Sequence, residues 1–259
     1  PQSLQSKVKQ INISGSSSGL ILLTPIISAF EKKNPDIKIR ILPGTETSDG
    51  VKGVGEGKLD IGALARPIKK EEQEKYPDIT GLSFAKDAMV LGVNPNVTVK
   101  SMTKDQVTKI HSGAITDWSQ VGGQKSKIVV LDREESESSK IMLRKYILGA
   151  DLKITKDAIV MHSGGAMDKA IAETPGAIGQ TSLGVINMQE LKIKPLSIDN
   201  VAPNVDIIKT GAYEMAREYG IAIPRKSLKK EVADFVDFLF SSEAQNILSG
   251  YEIVPLSRP

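Results

Sequence analysis

The sequence predicts an α/β fold, of a length that allows one large domain or two small ones. Short strand-like runs recur along the chain, helical patterns separate them, and Ser/Gly-rich turns stand where strand passes into helix. That alternation is the βαβ signature of a sheet flanked by helices. No low-complexity linker splits the chain, so two lobes would share crossing strands rather than one tether.

Each element follows from its own pattern. Ile11-Asn12-Ile13 reads as a strand, and Leu20 to Phe30 as a helix with Pro25 inside it, closed by Asn34-Pro35. Ile37 to Ile41 alternates as a strand does. Val51 to Gly57 is a short helix before the buried strand Leu59 to Leu64. Ala88 to Val93 is an apolar strand, and Thr103 to Ser112 a helix opened by a threonine cap. Lys127–Leu131, Ala158–Met161 and Ala177–Gly179 are strands. Ser136–Leu148 and Gly164–Glu173 are helices, and Lys229–Ser249 holds one or two more. A two-lobed chain of this pattern would divide into 1–89 with 214–259, and 90–213, with crossing strands near 88–93 and 211–219.

Composition removes several function classes. With 259 residues and 40% hydrophobic content, there is ample material for a core. Net charge is +3, and Lys69-Lys70 and Lys229-Lys230 each sit beside glutamates, so no basic stripe forms. Aromatics are 4% of the chain, too few for base-stacking platforms. There is no cysteine, which excludes disulfides and thiolate chemistry. No apolar run approaches the ~18 residues of a membrane span. The opening Pro1-Gln2-Ser3 reads as a processed or trimmed end.

Gly15-Ser16-Ser17-Ser18-Gly19 joins a strand to a helix. A helix start presents unpaired N–H groups and the positive end of the macrodipole, and hydroxyls add neutral donors. The plainer reading is an ordinary N-cap. The run Asp132-Arg133-Glu134-Glu135-Ser136-Glu137-Ser138-Ser139 occupies a second junction, where Arg133 supplies a fork of donors suited to an oxyanion. Its plainer reading is a polar loop whose acids complement a helix dipole. His162-Ser163-Gly164-Gly165 and Thr47-Ser48-Asp49-Gly50 are the third and fourth. One such junction means little; four suggest helix starts converging at the carboxyl ends of strands.

Enzymatic readings find little support. Gly15 to Gly19 matches Gly-x-Ser-x-Gly with Ser17 central, but it opens the chain, unlike a hydrolase elbow. No Walker loop is present, and the two histidines, His111 and His162, lack metal-ligand spacing. No catalytic residue, metal or cofactor is expected. Trp118, the only tryptophan, reads as a packing residue.

Together these segments resemble the phosphate-binding proteins of phosphate ABC transporters. Ile13 to Ser18 looks like that family's Gly-Ser-Thr/Ser-Ser loop, and Leu59-Asp60-Ile61-Gly62 to Arg66-Pro67 like its Asp-Ile-Gly segment. His111 to Trp118 is similar to its Ile-Phe-x-Gly-x-Ile-Thr-x-Trp signature, with His111 in place of the aromatic. Pro175 to Gly179 matches a Pro-Gly-Ala-Ile-Gly segment, and Phe235 to Gln245 looks like the closing helix. The resemblance implies a type II periplasmic-binding fold with a ligand cleft between lobes. It implies a monomer, periplasmic or extracellular, that binds phosphate or a similar oxyanion and delivers it to a membrane permease. Lipid anchoring through an N-terminal cysteine outside this sequence is part of that expectation. Rivals are the same fold with another small ligand, or a sensory or adhesive protein without transport.

The implied ligand residues are Ser16, Ser17, Ser18, Thr47, Ser48, Arg133, Glu137, Ser138, Ser139, Ser163 and Gly164. Arg133 matches the arginine of the family's Arg-x-x-Gly-Ser-Gly-Thr motif, beyond which the match degrades. Ser136 and Ser138 stand for the glycines, Glu137 for the serine and Ser139 for the threonine. Ala65 falls where relatives often have serine. Three roles for Glu137 stay open: accepting a hydrogen bond from a protonated oxyanion, pointing to solvent beside the helix dipole, or marking a changed or lost ligand.

Overall fold

The computed structural model describes residues 8–44 and 46–259. In chain order the first elements are β1 (Lys9–Gly15), α1 (Ser17–Lys33), β2 (Ile37–Ile41), α2 (Thr47–Gly55), β3 (Ile61–Leu64), α3 (Lys70–Lys75) and β4 (Ile79–Val93). Next come β5 (Ser101–Met102), α4 (Lys104–Ser112), β6 (Val129–Asp132), α5 (Ser138–Leu143), β7 (Ile159–Val160), α6 (Gly164–Glu173), β8 (Ala177–Ser182) and α7 (Leu183–Met188). The chain closes with β9 (Lys194–Pro195), β10 (Ser197–Ile198), α8 (Val205–Thr210), β11 (Ala216–Pro224), α9 (Lys230–Leu239), α10 (Ser242–Gly250) and β12 (Val254–Pro255).

The chain divides into two compact units. Unit 1 holds Pro1–Ala85, Glu218–Gly250 and Pro255–Pro259; unit 2 holds Lys86–Arg217 and Tyr251–Val254. The two main breaks fall inside β4 and β11, so each of these strands begins in one unit and ends in the other.

In unit 1, β1 lies between β2 and β3, parallel to both, and β11 joins β3 antiparallel. The parallel strands are linked through α1 and α2, as parallel pairing requires. Their core face is Ile11, Ile13 and Ile61, all fully buried. Helix α1 presents Leu22, Leu23, Ile26 and Phe30 as one apolar stripe. Phe30 meets Phe235 of α9 edge-on, with ring centroids 5.2 Å apart, the preferred quadrupolar arrangement. Pro25 is carried inside α1 without ending it.

In unit 2, β8 pairs antiparallel with β4 and parallel with β6, and β6 pairs parallel with β7. Its core gathers Met89, Leu91, Val107, Ile110, Leu143, Ile171 and Ile178 around Trp118. Trp118 is fully buried, and its Nε1–H donates to the Gly176 carbonyl at 3.0 Å. Gly176 has φ +75°, and a Cβ there would stand 2.3 Å from the Lys127 carbonyl oxygen. The Thr-Asp-Trp and Pro-Gly-Ala segments of the sequence are therefore two sides of one packing contact.

Several expected boundaries move. The helix expected from Val51 starts at Thr47, because Glu46 and Asp49 form a reciprocal capping box ahead of it. The strand expected over Lys127–Leu131 is Val129–Asp132. The helix expected over Ser136–Leu148 is α-helical only to Leu143 and continues as a π-helical turn to Leu148. Arg144, its first residue, ties down the segment after the turn, with Nη1 donating to the carbonyls of Gly149, Ala150 and Leu152. The crossing strand expected near 211–219 is β11, Ala216–Pro224, while helices α3, α7 and α8 have no counterpart among the elements read from the sequence.

Gly176→Ala is expected to cost about 1–3 kcal/mol from the left-handed backbone alone, with the Lys127 clash adding to it. Urea unfolding followed by the fluorescence of Trp118, the single tryptophan, reads that loss in unit 2; an unchanged midpoint would sink the packing account.

Candidate functional site

The first loop is built by glycine. Gly15 closes β1 with φ +129°, and a Cβ there would lie 2.4 Å from the Ala63 carbonyl oxygen. The Ser16 N–H donates to that same oxygen at 2.9 Å. Ser16 then caps α1, its Oγ accepting from the Gly19 N–H at 3.3 Å and lying 3.2 Å from Ser18 Oγ. Ser16 is buried, whereas Ser17 and Ser18 are partly open. The start of α2 is tied to the same strand end, because buried Thr47 accepts the Ala65 N–H through Oγ1 at 2.9 Å. Unit 1 thus brings Ser16, Ser17, Ser18 and Thr47 around the carboxyl end of β3. Ser48 follows on α2, where its hydroxyl donates to the Glu46 carboxylate at 3.2 Å.

Unit 2 assembles a charged cluster. Arg133 follows β6 and is buried, as is Ser139 in the first turn of α5. Just beneath, the buried ammonium of Lys140 reaches the Asp132 carboxylate, with Nζ 2.6 Å from Oδ1. This pair fastens the first turn of α5 to the end of β6. Glu135 binds Arg144 with both carboxylate oxygens, at 2.6 and 2.7 Å. That pairing holds the Glu135 carboxyl below its usual range. Ser163 caps α6, its Oγ accepting from the Ala166 N–H at 3.1 Å, with Gly164 as the first helical residue. Exposed His162 pairs with Glu134 at 2.8 Å, linking the loop after β6 to the loop before α6.

Glu137 lies at the N-cap of α5 but makes no capping bond. Its Oε1 stands 3.0 Å from Arg133 Nη2, and its side chain is only 11% exposed. Of the roles the sequence left open, pointing to solvent is therefore corrected: Arg133 draws the carboxylate inward. Arg133 Nε is buried without a hydrogen-bond partner.

Residues not anticipated from sequence complete this cluster. Arg217, at the start of β11, donates from Nη1 to Ser138 Oγ at 3.1 Å. Asp168, on the buried face of α6, accepts from the Thr181 hydroxyl of β8. Burial raises the Asp168 carboxyl to about 6, against the lowering pull of the Thr181 bond and of Arg133 and Arg217. Gln180 approaches Asp132 from β8 at 3.5 Å. A polar Gln-Thr pair directly after the apolar Ala177-Ile178-Gly179 run was the available signal. Asp168 and Arg217 carried none beyond being charged residues in amphipathic surroundings.

His111 is fully buried, with Nδ1 2.9 Å from the Val107 carbonyl, and burial holds its pKa below the ordinary imidazole value. Among the described residues there is no cluster of His, Cys, Asp and Glu that could hold a metal ion, and no helix is long and apolar enough to cross a membrane.

Comparison with known proteins follows the same lines. The sequence model for a PBP superfamily domain matches residues 1–243. The phosphate-binding protein PstS of Bacillus subtilis is 29% identical over 249 residues, covering 95% of this chain and 81% of that one. PstS of Borreliella burgdorferi is also 29% identical, over 251 residues, covering 94% and 89%. A Clostridium perfringens protein, solved with bound phosphate, superposes with a TM-score of 0.85 at 25% identity, covering 96% of this chain and 100% of that one. A phosphate transport receptor from Vibrio cholerae shares the fold at 23% identity, with a TM-score of 0.70 and coverage of 94% and 99%.

Two outcomes test the unit 2 cluster. Lys140→Met strands a buried carboxylate and is expected to destabilise by about 3–5 kcal/mol, while adding Asp132→Asn recovers most of the loss; urea denaturation of both variants decides. Asp168 gives a pH signature. Its folded pKa lies above the unfolded value, so its stabilising effect is full below pH ~4 and is lost as pH rises through about 6. Relative to Asp168→Asn, the ligand-free protein should therefore lose on the order of 2–3 kcal/mol between pH 4 and pH 7, read as a fall of the wild-type urea midpoint relative to that of the variant.

Proposed function

The chain belongs to the PBP superfamily, and from that premise we propose that it is the extracytoplasmic substrate-binding protein of an ABC importer and that its ligand is inorganic phosphate. One observation carries the reading most directly. Buried Arg133, with an unpartnered Nε, stands beside the start of α5, where Ser138 and Ser139 lie in the first turn. Buried polar groups are ordinarily hydrogen-bonded, so an orphaned guanidinium nitrogen asks for an oxygen. A guanidinium fork matches a tetrahedral oxyanion geometrically, and neutral hydroxyls at a helix start add donors without counter-charge.

The serines at the start of α1, with Thr47 and Ser48 at the start of α2, are proposed to serve the same ligand. In unit 2, Ser163 and Gly164 are proposed to do so as well. The protein acts by binding and release, without catalysis. We further propose that it works as a monomer, hands phosphate to a membrane permease, and is held at the membrane by a lipid on an N-terminal cysteine outside this sequence. The expected lobes, 1–89 with 214–259 and 90–213, are proposed as its functional halves.

Calorimetric titration of phosphate-stripped protein tests the ligand. Saturable phosphate binding is expected, and Arg133→Ala should weaken it on the order of 100-fold or more. Ser17→Ala should weaken it only about three- to tenfold, the worth of one neutral hydrogen bond. Absence of phosphate binding at micromolar protein, alongside binding of another oxyanion, would overturn the assignment.

A further inference from the structure

Where a bound oxyanion is expected, the unit 2 cluster already holds a carboxylate. Glu137 Oε1 contacts Arg133 Nη2 at 3.0 Å, and the two side chains are only 11% and 6% exposed. The other carboxylate oxygen lies 3.5 Å from the Ser139 hydroxyl. Neither oxygen caps the helix that Glu137 begins. Glu137 is therefore using the donors that the proposed function assigns to phosphate. The pairing is incomplete, because Arg133 Nε keeps no partner.

We propose that Glu137 is a built-in competitor, whose carboxylate holds Arg133 in the ligand-free protein and has to leave before an oxyanion can take the guanidinium. The inference rests on the phosphate reading above. Its physical basis is charge. The groups facing one another are Arg133 from the β6–α5 loop, Arg217 from β11, Glu137 from α5 and Asp168 from α6. Two cations meet two carboxylates, so the ionised cluster is neutral. An oxyanion added with Glu137 in place would put two negative groups on one fork in a poorly solvated site, where like charges repel strongly. Exchange avoids this: Glu137 rotates from its helix-end position to water, still ionised, and the oxyanion takes over its bond to Nη2 together with the unused Nε. No proton or covalent bond changes hands. Each binding event breaks an ion pair already made, and the affinity for any oxyanion falls by that amount.

Calorimetric titration of the wild type and Glu137→Gln with phosphate and with sulfate, at low and high ionic strength, tests the idea. Glutamine keeps the shape and removes the charge. Phosphate affinity is expected to rise about tenfold or more in Glu137→Gln, the worth of one charge-assisted hydrogen bond. The phosphate-to-sulfate preference should stay within about twofold, because a competitor for Arg133 weakens both anions alike. Salt should also weaken phosphate binding more steeply in the variant, whose cluster carries a net positive charge. Equal affinity in the two proteins overturns the competitor and leaves the phosphate reading standing. Weaker phosphate binding with lost discrimination against sulfate also overturns it, because the carboxylate would then be accepting a proton-bearing phosphate oxygen. Failure of both proteins to bind phosphate overturns the phosphate reading and takes this inference with it. Glu137→Ser serves as the second variant, and the same gain is expected there.

Discussion

The arrangement in unit 2 depends on the buried ion pair between Asp132 and Lys140. A fully buried ammonium is tolerated only because a carboxylate meets it at hydrogen-bond distance. The two residues bracket the loop that carries Arg133 and Glu137, so the pair sets where β6 ends and where α5 begins. Around it, Gln180 approaches Asp132 from one side and Glu135 approaches Lys140 from the other, at 3.7 Å. The arginine is thus presented by a loop with both ends fastened. A recognition fork gains when its geometry is fixed before the ligand arrives, since less freedom is then lost on binding.

The two units build their candidate ligand residues by different means. In unit 1, the contacts of Ser16, Ser18 and Thr47 with one another and with the carboxyl end of β3 are made by backbone and hydroxyl groups. In unit 2, charge is abundant but balanced. Arg133 and Arg217 are each matched by an acid within reach of their fields. Such compensation keeps buried charges affordable in free energy and leaves the net field of the cluster small.

Most of the fold was legible, because apolar periodicity and turn chemistry are local signals. The α4 helix was read correctly down to its Thr103 cap, and β2 and α6 matched their expected spans. What escaped depended on tertiary context. Strand β11 was expected near 211–219 but runs on to Pro224, because the charges of its opening Ala-Arg-Glu-Tyr-Gly hide a run that pairs with β3 and is buried through most of its length. The helix becomes a π-helical turn after Leu143, and the Arg144 side chain gathers three carbonyls of the segment that follows, a long-side-chain effect that no periodicity announces. At the site, Arg133 stood out as a donor fork after a strand, yet the direction of Glu137 was undetermined. An acid at an N-cap is equally compatible with solvent and with an arginine four residues back, and only the fold decides.

The crowding around β3 has a consequence for how this protein can be altered. Side chains placed at Gly15 or Gly62 would collide with main-chain atoms at 2.4 and 2.5 Å, and one at Gly50 would press on them at 3.1 Å, so main chain is packed on main chain. Such a frame leaves almost no room for redesign from within. Under the proposed function, new specificity in unit 1 would be written on the hydroxyl positions, chiefly Ser17, Ser18 and Ser48. A sensor engineered from this scaffold would find its evolvable surface in the loop from Arg133 to Ser139, where exposed Glu134, Glu135 and Ser136 border the buried arginine.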